Sequence, residues 1–349
     1  MTPAARRAVV ALVWAVAAGV LAWALVRALG LERGFPLVPL VAWTPFLIPV
    51  AVVAAAAAAV LRSRVPLALS VAACALLAVA VAPRALGGGY EPPGGASGPE
   101  LQVMAANLKL GKADPGRIVE LVRDEGVDVL CVQELTAELA AALDRAGLAE
   151  LLPERTGEPA PSSSGSAIYS RHPLRTLPNA SPPGYPFVMP RAEVRVTPEA
   201  SGTPAAPAAA GAPGAPGTRS PAVEVVSVHP VPPTSSAAVT TWREGLEALE
   251  PLGSEADESA ATEAPTLLVG DFNATLDHGA LRDVLDAGFV DAGDATGGGL
   301  TPTWPQGLFR PPVTIDHVLA DERIAVEAYD VHDLPGSDHR AVVATVRLP

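Results

Sequence analysis

Cysteine and lysine are scarce in this chain of 349 residues. Its two cysteines, Cys74 in an apolar segment and Cys131 in a predicted buried strand, are not expected to form a disulfide, so they do not identify the compartment. From residue 100 onward, 17 Lys and Arg (two of them Lys) stand against 35 Asp and Glu, a net charge of −18. No basic run is interleaved with aromatics, which disfavours a dedicated nucleic-acid-binding protein. A cation bound in a site can still invert the local field.

Apolar residues are concentrated in the first 85 positions. Residues 9–31, 36–61 and 65–83 are each about as long as the ~20 residues that cross a bilayer as a helix. Three such stretches in succession argue against a cleaved signal peptide. Prolines within the second stretch favour a break into a re-entrant piece, so two spans remain an alternative. We predict a transmembrane region over residues 1–86 with three helices.

Basic residues near these stretches predict the topology. Arg6 and Arg7 precede the first stretch, and Arg62 and Arg64 lie between the second and the third. The positive-inside rule places both pairs in the cytoplasm. Three crossings then put everything after Pro83 outside the cell membrane, whereas two crossings would reverse this. We therefore predict a multi-pass membrane protein in which the domain over residues 100–349 is extracytoplasmic.

A Gly/Pro-rich segment, residues 87–99, is predicted to be a flexible linker. Beyond it, strand patterns outnumber helical ones without strict alternation, which favours an α+β layered sandwich over a doubly wound sheet. Mostly Ala, Pro and Gly, residues 198–222 are predicted to be disordered, and residues 252–265 form an acidic loop. Strands are predicted at 101–106, 127–134, 166–170, 191–196, 223–229, 266–270, 313–319, 323–329 and 340–347, and helices at 115–125, 136–146, 235–250 and 279–286.

Polar residues recur where apolar strands end. One packed core would bring these ends to a single rim, where rigid positioning of a site is easiest. Carboxylate and amide oxygens suit Mg²⁺ or Mn²⁺, and imidazoles can transfer protons or stabilise developing negative charge. HExxH, paired CxxC, P-loop and GxSxG motifs are absent, so zinc-peptidase, NTPase and serine-hydrolase interpretations lack support. The polar positions are Asn107, Glu134, His229, Asp271, Asn273, Asp316, Ser337, Asp338 and His339.

Three motifs carry a family resemblance. Gln133-Glu134, GDFN at 270–273 and GSDH at 336–339, in this order, resemble the endonuclease/exonuclease/phosphatase superfamily. Its members include DNase I-like nucleases, neutral sphingomyelinases and inositol phosphatases. The resemblance implies a four-layered α/β sandwich, two packed β-sheets flanked by helices, here preceded by an α-helical membrane region.

The resemblance also implies a metal side of the site. Glu134 would bind Mg²⁺ or Mn²⁺, with Asn107 nearby and Asp338 in support. Taken alone, Asn107 is as well explained as a turn residue after a strand. A solvated rim charge is the minority interpretation of Glu134, because a buried strand leads into it.

On the catalytic side, Asp271 would orient or deprotonate the attacking water and Asn273 would hold a phosphate oxygen. His339 would contact the scissile phosphate, with Asp316 orienting it, and His229 would be a second phosphate-facing histidine. The structural alternatives are an Asx turn at Asp271 and a strand cap at His229.

Other polar and aromatic residues are predicted to have structural or surface roles, or leave two roles open. In an extended segment His317 would point away from Asp316, so a structural role is predicted. Arg191 could contact phosphate or form a salt bridge, and Trp304 is predicted to be a packing residue. Surface positions are predicted for the three histidines that match no motif, His172, His278 and His332.

Apolar helices joined to such a domain are similar to bacterial membrane-anchored members, including the teicoplanin-resistance type, which are thought to act on lipid-linked phosphates. We therefore expect a metal-dependent phosphoesterase that hydrolyses a phosphate ester or pyrophosphate. The expected partners are the lipid bilayer and a phosphorylated, lipid-linked envelope substrate at the outer face. Two alternatives stay open: an extracellular nuclease, and a catalytically silent membrane protein that binds a phosphate ligand.

Overall fold

A computed structural model describes residues 2–197, 221–253, 264–307 and 311–349. In these residues the strands are β1 Glu100–Asn107, β2 Val129–Gln133, β3 Glu154–Glu158, β4 Ser166–Ser170, β5 Leu174–Leu177, β6 Arg191–Arg195, β7 Ala222–Val228, β8 Thr266–Asp271, β9 Phe289–Asp291, β10 Asp316–Asp321, β11 Ala325–His332 and β12 Ala341–Arg347. The α-helices are α1 Pro3–Ala28, α2 Leu37–Val41, α3 Leu47–Val60, α4 Arg64–Val81, α5 Pro115–Asp124, α6 Ala137–Arg145, α7 Leu148–Leu151, α8 Ser236–Glu247, α9 Gly279–Asp286 and α10 Ala292–Thr296. Short 3₁₀ helices are Thr44–Phe46, Ala82–Ala85 and Glu250–Leu252.

The strands form two six-stranded mixed sheets, in the orders β11-β12-β1-β2-β4-β3 and β5-β6-β7-β8-β10-β9. Within them β1 and β2 are parallel, as are β7 and β8. The sheets pack face to face, α5 and α6 cover the first, and α8 and α9 cover the second. The predicted four-layered α/β sandwich is confirmed.

Strand alternation produces these layers. Leu101, Val103 and Ala105 of β1 point between the sheets, whereas Met104 and Ala106 point toward the covering helices. Successive side chains of a strand face opposite sides, so a strand buried on both faces is apolar throughout. This explains why the sequence shows continuous apolar runs.

Sequence predictions match the central strands and miss short outer ones. β3, β5 and β9 were not predicted, because each is short and the first two are largely exposed and polar. β10 begins at Asp316 rather than 313, since Val313 pairs with Trp304 in an isolated bridge. The inserts predicted at 198–222 and 252–265 lie largely outside the described residues, although Ala222 already belongs to β7.

The first 86 residues form a helical bundle of α1, α3 and α4. Alanines at the contacts, such as Ala24, Ala51 and Ala73, let the helices approach closely. The second apolar stretch is divided into α2, a 3₁₀ turn and α3 at its prolines. Two helices, Pro3–Ala28 and Arg64–Ala85, are long and apolar enough to cross a membrane, and Thr44–Val60 is a shorter apolar helix.

The Gly/Pro-rich segment predicted as a flexible linker lies against the sandwich. Gly89 N donates to Ala295 O at 3.0 Å, and Tyr90 pairs with Val326 as an antiparallel bridge. A Cβ at Gly87 would lie 2.2 Å from the same Ala295 oxygen, so only glycine fits there. Composition indicates the freedom of a glycine-rich chain but not its tertiary contacts.

A buried ion-pair group joins the bundle to the sandwich. Asp277, in the loop between β8 and α9, is fully buried and accepts from Arg84 Nη1 at 2.9 Å and Nη2 at 2.7 Å. Arg27 Nε donates to the same carboxylate at 3.0 Å, and Arg282 Nη1 donates to the Asp277 carbonyl at 2.6 Å. Because Arg27 ends α1 and Arg84 follows α4, one carboxylate fixes both long helices to the loop after β8.

We expect Asp277→Ala to lower the free energy of unfolding by about 3–5 kcal/mol, because two mostly buried guanidinium groups lose their carboxylate. Chemical unfolding of the detergent-solubilised protein measures this loss. Glu327→Ala, which removes an exposed partner of Arg347 at 2.6 Å, is the control and should cost at most about 1 kcal/mol. Equal losses of unfolding free energy in the two variants would contradict a stabilising contribution from the buried ion pairs of Asp277.

Candidate active site

Four predicted site residues lie where central strands meet one edge of the sandwich. Asn107 ends β1, Glu134 follows β2, Asp271 ends β8 and Asp316 begins β10. β1 and β2 run parallel, so their carboxyl ends coincide. β8 and β10 run antiparallel with Asp271 directly opposite Asp316. The end of one strand therefore meets the start of the other at the same edge.

Strand alternation then turns these side chains toward each other. Asn107 continues the inward row of Val103 and Ala105, and Asp271 continues the inward row of Val269 in the facing sheet. As a result Asn107 Nδ2 donates to Asp271 Oδ2 at 3.0 Å and lies 3.5 Å from Glu134 Oε1.

Two histidines flank Asp271. His229 Nε2 and His339 Nε2 each lie 3.8 Å from Asp271 Oδ2. His339 Nδ1 lies 3.1 Å from Asp316 Oδ1 and 3.0 Å from Oδ2, so Asp316 holds the imidazole from behind. The Phe187 ring packs on His229 with centroids 5.0 Å apart.

The two histidines differ in charge. Burial lowers the pKa of His229 to about 4, so its imidazole is neutral at pH 7. Burial acts in the same direction on His339, but Asp316 and Asp271 outweigh it and raise its pKa to about 9. The site therefore pairs a neutral histidine with a charged one around a single carboxylate.

Burial raises the pKa of the Glu134 carboxyl, opposed by the Leu110 N–H that donates to Oε2 at 2.8 Å. Burial likewise raises the pKa of Asp271, opposed by charged His339. A half-buried and a buried carboxyl with raised pKa values, linked through Asn107, form a place that favours an added cation.

Backbone strain marks the same place. Glu134 has a φ of +57° and Asn273 a φ of +49°, in the left-handed region that non-glycine residues rarely adopt. Such conformations persist only where the surrounding structure over-determines them, and they cluster at functional sites. At Glu134 the carboxylate bond to Leu110 and the bond from Gly111 N to Glu134 O at 3.1 Å hold the strained residue.

Two further predicted residues, Asn273 and Asp338, lie beside the group that Asn107, Glu134 and Asp271 form. Asn273 N donates to Asp271 Oδ1 at 2.8 Å, forming the Asx turn considered as an alternative, while Asn273 Nδ2 donates to Pro230 O at 3.1 Å. Asp338 lies at the rim, where Lys109 Nζ is 3.7 Å from its Oδ2. Among the described contacts none joins Asp338 to Glu134.

Three residues support the site; Ser337 belongs to the predicted GSDH motif, whereas Gln306 and Lys109 were not predicted. Ser337 Oγ donates to Asn107 O at 2.8 Å and accepts from His339 N at 3.0 Å, which links β1 to the histidine loop. Gln306 Nε2 donates to the carbonyls of Leu334 and His339 and so shapes that loop. Lys109 is marked in the sequence by rarity: the chain has two lysines, Lys109 and Lys112, and the first lies two positions after Asn107.

The remaining residues considered from sequence fall outside the site. His317 contacts Asp291 Oδ2 through Nδ1 at 2.7 Å and Ala274 O through Nε2 at 2.9 Å, in keeping with a structural role. Arg191 forms an ion pair with Glu224. The surface prediction was wrong for His172 and His278, which are both buried. The His278 ring packs edge-on against Trp242, and His172 Nδ1 lies 3.3 Å from Thr197 Oγ1.

A metal could be held in this group. Ligand atoms of Asp271, Asp316 and His339 lie within 4.8 Å of one another. Because Asp316 and His339 already satisfy each other, the carboxylate oxygens of Glu134 and Asp271 fit a hard cation such as Mg²⁺ or Mn²⁺ better. Asn107 lies between them but turns its Nδ2 toward both carboxylates, while its Oδ1 accepts from Lys109 N at 3.0 Å.

A sandwich of two sheets that carries carboxylates, an amide and paired histidines at one edge defines a phosphoester-processing class of protein. The Endonuclease/Exonuclease/phosphatase family matches residues 104–339, more than half of the chain, and the chain belongs to this family. Comparison with curated proteins found no match.

Several solved structures have a similar fold. One is an endonuclease/exonuclease/phosphatase from Beutenbergia cavernae, which is 21% identical; the match covers 71% of this chain and 72% of that one, with a TM-score of 0.49. D. rerio TDP2 in complex with a single-strand DNA product is 14% identical, covering 71% and 99%, with a TM-score of 0.49. A mannosyl-6-phosphatase of Bacteroides thetaiotaomicron is 15% identical, covering 70% and 99%, with a TM-score of 0.45.

The charged state of His339 should depend on Asp316. In the metal-free protein, an NMR titration of the His339 ring should give a pKa near 9, whereas in Asp316→Asn the pKa should fall. The folded pKa lies above the ordinary 6.5, so the stability that charged His339 contributes is present below 6.5 and lost as pH rises through about 9. An unchanged His339 titration in Asp316→Asn would contradict the pairing.

Proposed function

We propose that this protein is a membrane-anchored, divalent-metal-dependent phosphoesterase that acts on a lipid-linked phosphate ester or pyrophosphate. One observation carries the hydrolytic part: Asp271 lies between a neutral and a charged histidine and is tied through Asn107 to Glu134. This arrangement supplies a base, an acid and a metal ligand within one connected group.

The residues fit a hard divalent cation. Glu134 Oε1, with Asn107 beside it, would hold Mg²⁺ or Mn²⁺, and such an ion would balance the negative charge of the half-buried Glu134 and the buried Asp271. When bound, the ion would neutralise charge on the substrate phosphate. Asp338, paired with Lys109 at the rim, would lend support from outside.

The protein's own groups account for the proton movements. Asp271, with one carboxylate oxygen fixed by Asn273 N and the other by Asn107, would orient water and take its proton as the new P–O bond forms. Charged His339, backed by Asp316, would stabilise the phosphate oxygens or protonate the leaving oxygen as its bond breaks. Neutral His229 would contact the phosphate, and Asn273 would hold one of its oxygens.

The membrane part rests on the helical bundle. In the apolar windows of Pro3–Ala28 and Arg64–Ala85, of mean hydropathy 2.5, 22% and 28% of residues are buried, far fewer than in a core helix of a soluble protein. Arg62 lies at the far end of α3, whereas Arg27 and Arg84 meet Asp277 at the sandwich. By the positive-inside rule, this supports cytoplasmic Arg6, Arg7, Arg62 and Arg64 and an outer-face catalytic domain.

Lipid-borne phosphate suits this placement. A tether raises the local concentration of substrates in the same membrane. The sandwich, with a net charge of −18 from residue 100 onward, attracts bulk DNA poorly. Metal-dependent phosphate release from polyprenyl pyrophosphate, measured beside nicking of plasmid DNA, tests the proposal. DNA nicking alone would favour a nuclease, and no hydrolysis by folded protein would favour a silent binder.

We expect Asp271→Asn or His339→Ala to lower turnover by a factor on the order of 10² or more, because each removes a transition-state contact. Steady-state kinetics on bis-p-nitrophenyl phosphate measures this. His332→Ala is the matched control, since His332 is part of β11 and pairs with Glu125 at 3.4 Å, and it should retain activity. Near-normal turnover in both site variants would contradict the assignment.

Glu134→Gln should weaken metal binding, because it removes the anionic ligand while keeping the side chain's shape. Calorimetric titration with Mn²⁺ should show a lower affinity, and half-maximal activity should require more metal. Glu138→Gln, on the first turn of α6, serves as the control. Equal Mn²⁺ affinity in the Glu134 variant and the wild type would exclude Glu134 as a ligand.

A further inference from the structure

An apolar cluster borders the histidine proposed to contact phosphate. We call it the tryptophan platform; it consists of Ala42, Trp43, Trp304, Val313 and Ile315. The Trp304 ring lies beside the His339 imidazole, with ring centroids 6.3 Å apart. The platform therefore begins where the scissile phosphate would lie.

The platform joins two distant parts of the chain. Ala42 and Trp43 come from the segment between α2 and α3, and the other members come from the sandwich. Trp43 Nε1 donates to Pro311 O at 2.8 Å, and Val38 of α2 is buried in the core beneath the second sheet. These contacts fix the bundle side of the platform relative to the catalytic side.

The surface that leads away from the platform is uncharged. Residues 35–61 contain no acidic or basic side chain. Large apolar side chains are exposed along this segment, namely Phe35, Leu37, Leu40 and Phe46. An exposed apolar patch of this kind marks a membrane or ligand contact, and this one connects the platform to the helices proposed to span the bilayer.

A cavity of about 150 Å³ adjoins the platform between bundle and sandwich. Its apolar lining includes Ala42, Pro45, Phe46, Leu276, Pro312 and Val313. Arg84 and Asp277 also line it, but they satisfy each other. Thr275, Thr314 and His317 add polar groups to the rest of the lining, and the cavity is partly open to solvent. A space of this size accepts a group about as large as benzene, so its apolar side has room for one branched segment of a hydrocarbon chain.

We propose that the tryptophan platform and this cavity bind the hydrocarbon chain of a lipid phosphate nearest its head group. This inference rests on the proposed function and adds a location for the lipid chain. The chain runs from the membrane along the 35–46 segment, across Trp43 and Trp304, and presents its phosphate to His339. The bundle thus forms one wall of the substrate site in addition to anchoring the protein.

The observations favour a lipid over a single-stranded nucleic acid, which also stacks on tryptophan. Nucleic-acid grooves combine stacking residues with cations that follow the phosphate backbone. Among the residues that the structure describes near the platform, Arg84 pairs with Asp277, Lys109 with Asp338 and Arg340 with Asp333. No charged residue lies between positions 35 and 61 to hold successive phosphates.

The test compares a long-chain polyprenyl pyrophosphate with water-soluble isopentenyl pyrophosphate on the full-length protein in detergent micelles. The quantity measured is the ratio of kcat/KM for the long chain to kcat/KM for the short one. Trp43→Ala should lower this ratio about tenfold, the size of effect expected for lost apolar contacts. Phe46→Gln changes an exposed cavity residue and provides a second variant if Trp43→Ala does not fold. Trp14→Ala is the control, since Trp14 is exposed on α1 about 20 Å along the helix from Arg27.

A fall in the ratio for Trp43→Ala or Phe46→Gln, with an unchanged ratio for Trp14→Ala, supports binding of the hydrocarbon chain at the platform and cavity. An unchanged ratio in both the Trp43 and the Phe46 variant overturns the inference and leaves the proposed function standing, because both substrates are still hydrolysed. Hydrolysis of neither substrate by wild-type protein overturns both. If single-stranded DNA binding instead depends on Trp43, the platform is a base-stacking surface and the lipid proposal is overturned.

Discussion

Asp271 and Asp316 lie opposite one another in the antiparallel pairing of β8 with β10, and both side chains point between the two sheets. That register determines the rest of the site. It places Asp316 behind His339, places Asp271 within reach of Asn107 from the facing sheet, and leaves Glu134 at the adjacent strand end. A shift of one residue in β10 would turn Asp316 toward the covering helices and His317 toward the site. The chemistry of the site therefore depends on sheet pairing as much as on residue type.

The edge of the sandwich that holds the site contains charges and backbone conformations that are unfavourable for stability. Asp271 is buried and Glu134 half-buried, the pKa values of both carboxyls are raised, and Glu134 and Asn273 have left-handed backbones. Such features persist because packed sheets restrain them, and they indicate a place arranged for binding rather than for stability. Gly270 shows how tightly the strand before Asp271 is packed, since a Cβ there would lie 2.2 Å from Val228 O.

The helical bundle contacts the sandwich directly. Asp277 binds the ends of α1 and α4 through Arg27 and Arg84, six residues after Asp271 in the same connection. Trp43 reaches the loop that carries Trp304 and hence the neighbourhood of His339. An interface that is both ion-paired and apolar gives the catalytic edge a defined orientation toward the bundle. In the proposed function, this orientation also determines how a lipid head group meets the phosphate-binding residues.

The sequence by itself determined the central strands, the sandwich class and most candidate site residues, because apolar runs and the polar residues that end them are local features. The scarcity of lysine also singles out Lys109. Tertiary structure alone decided the register that faces Asp271 with Asp316, the burial of His172 and His278, and the contacts of Gln306 and Ser337 with the histidine loop. It also placed residues 87–98 and Trp43 against the sandwich. These features depend on contacts between residues far apart in the chain, and composition and periodicity report only what neighbouring residues prefer.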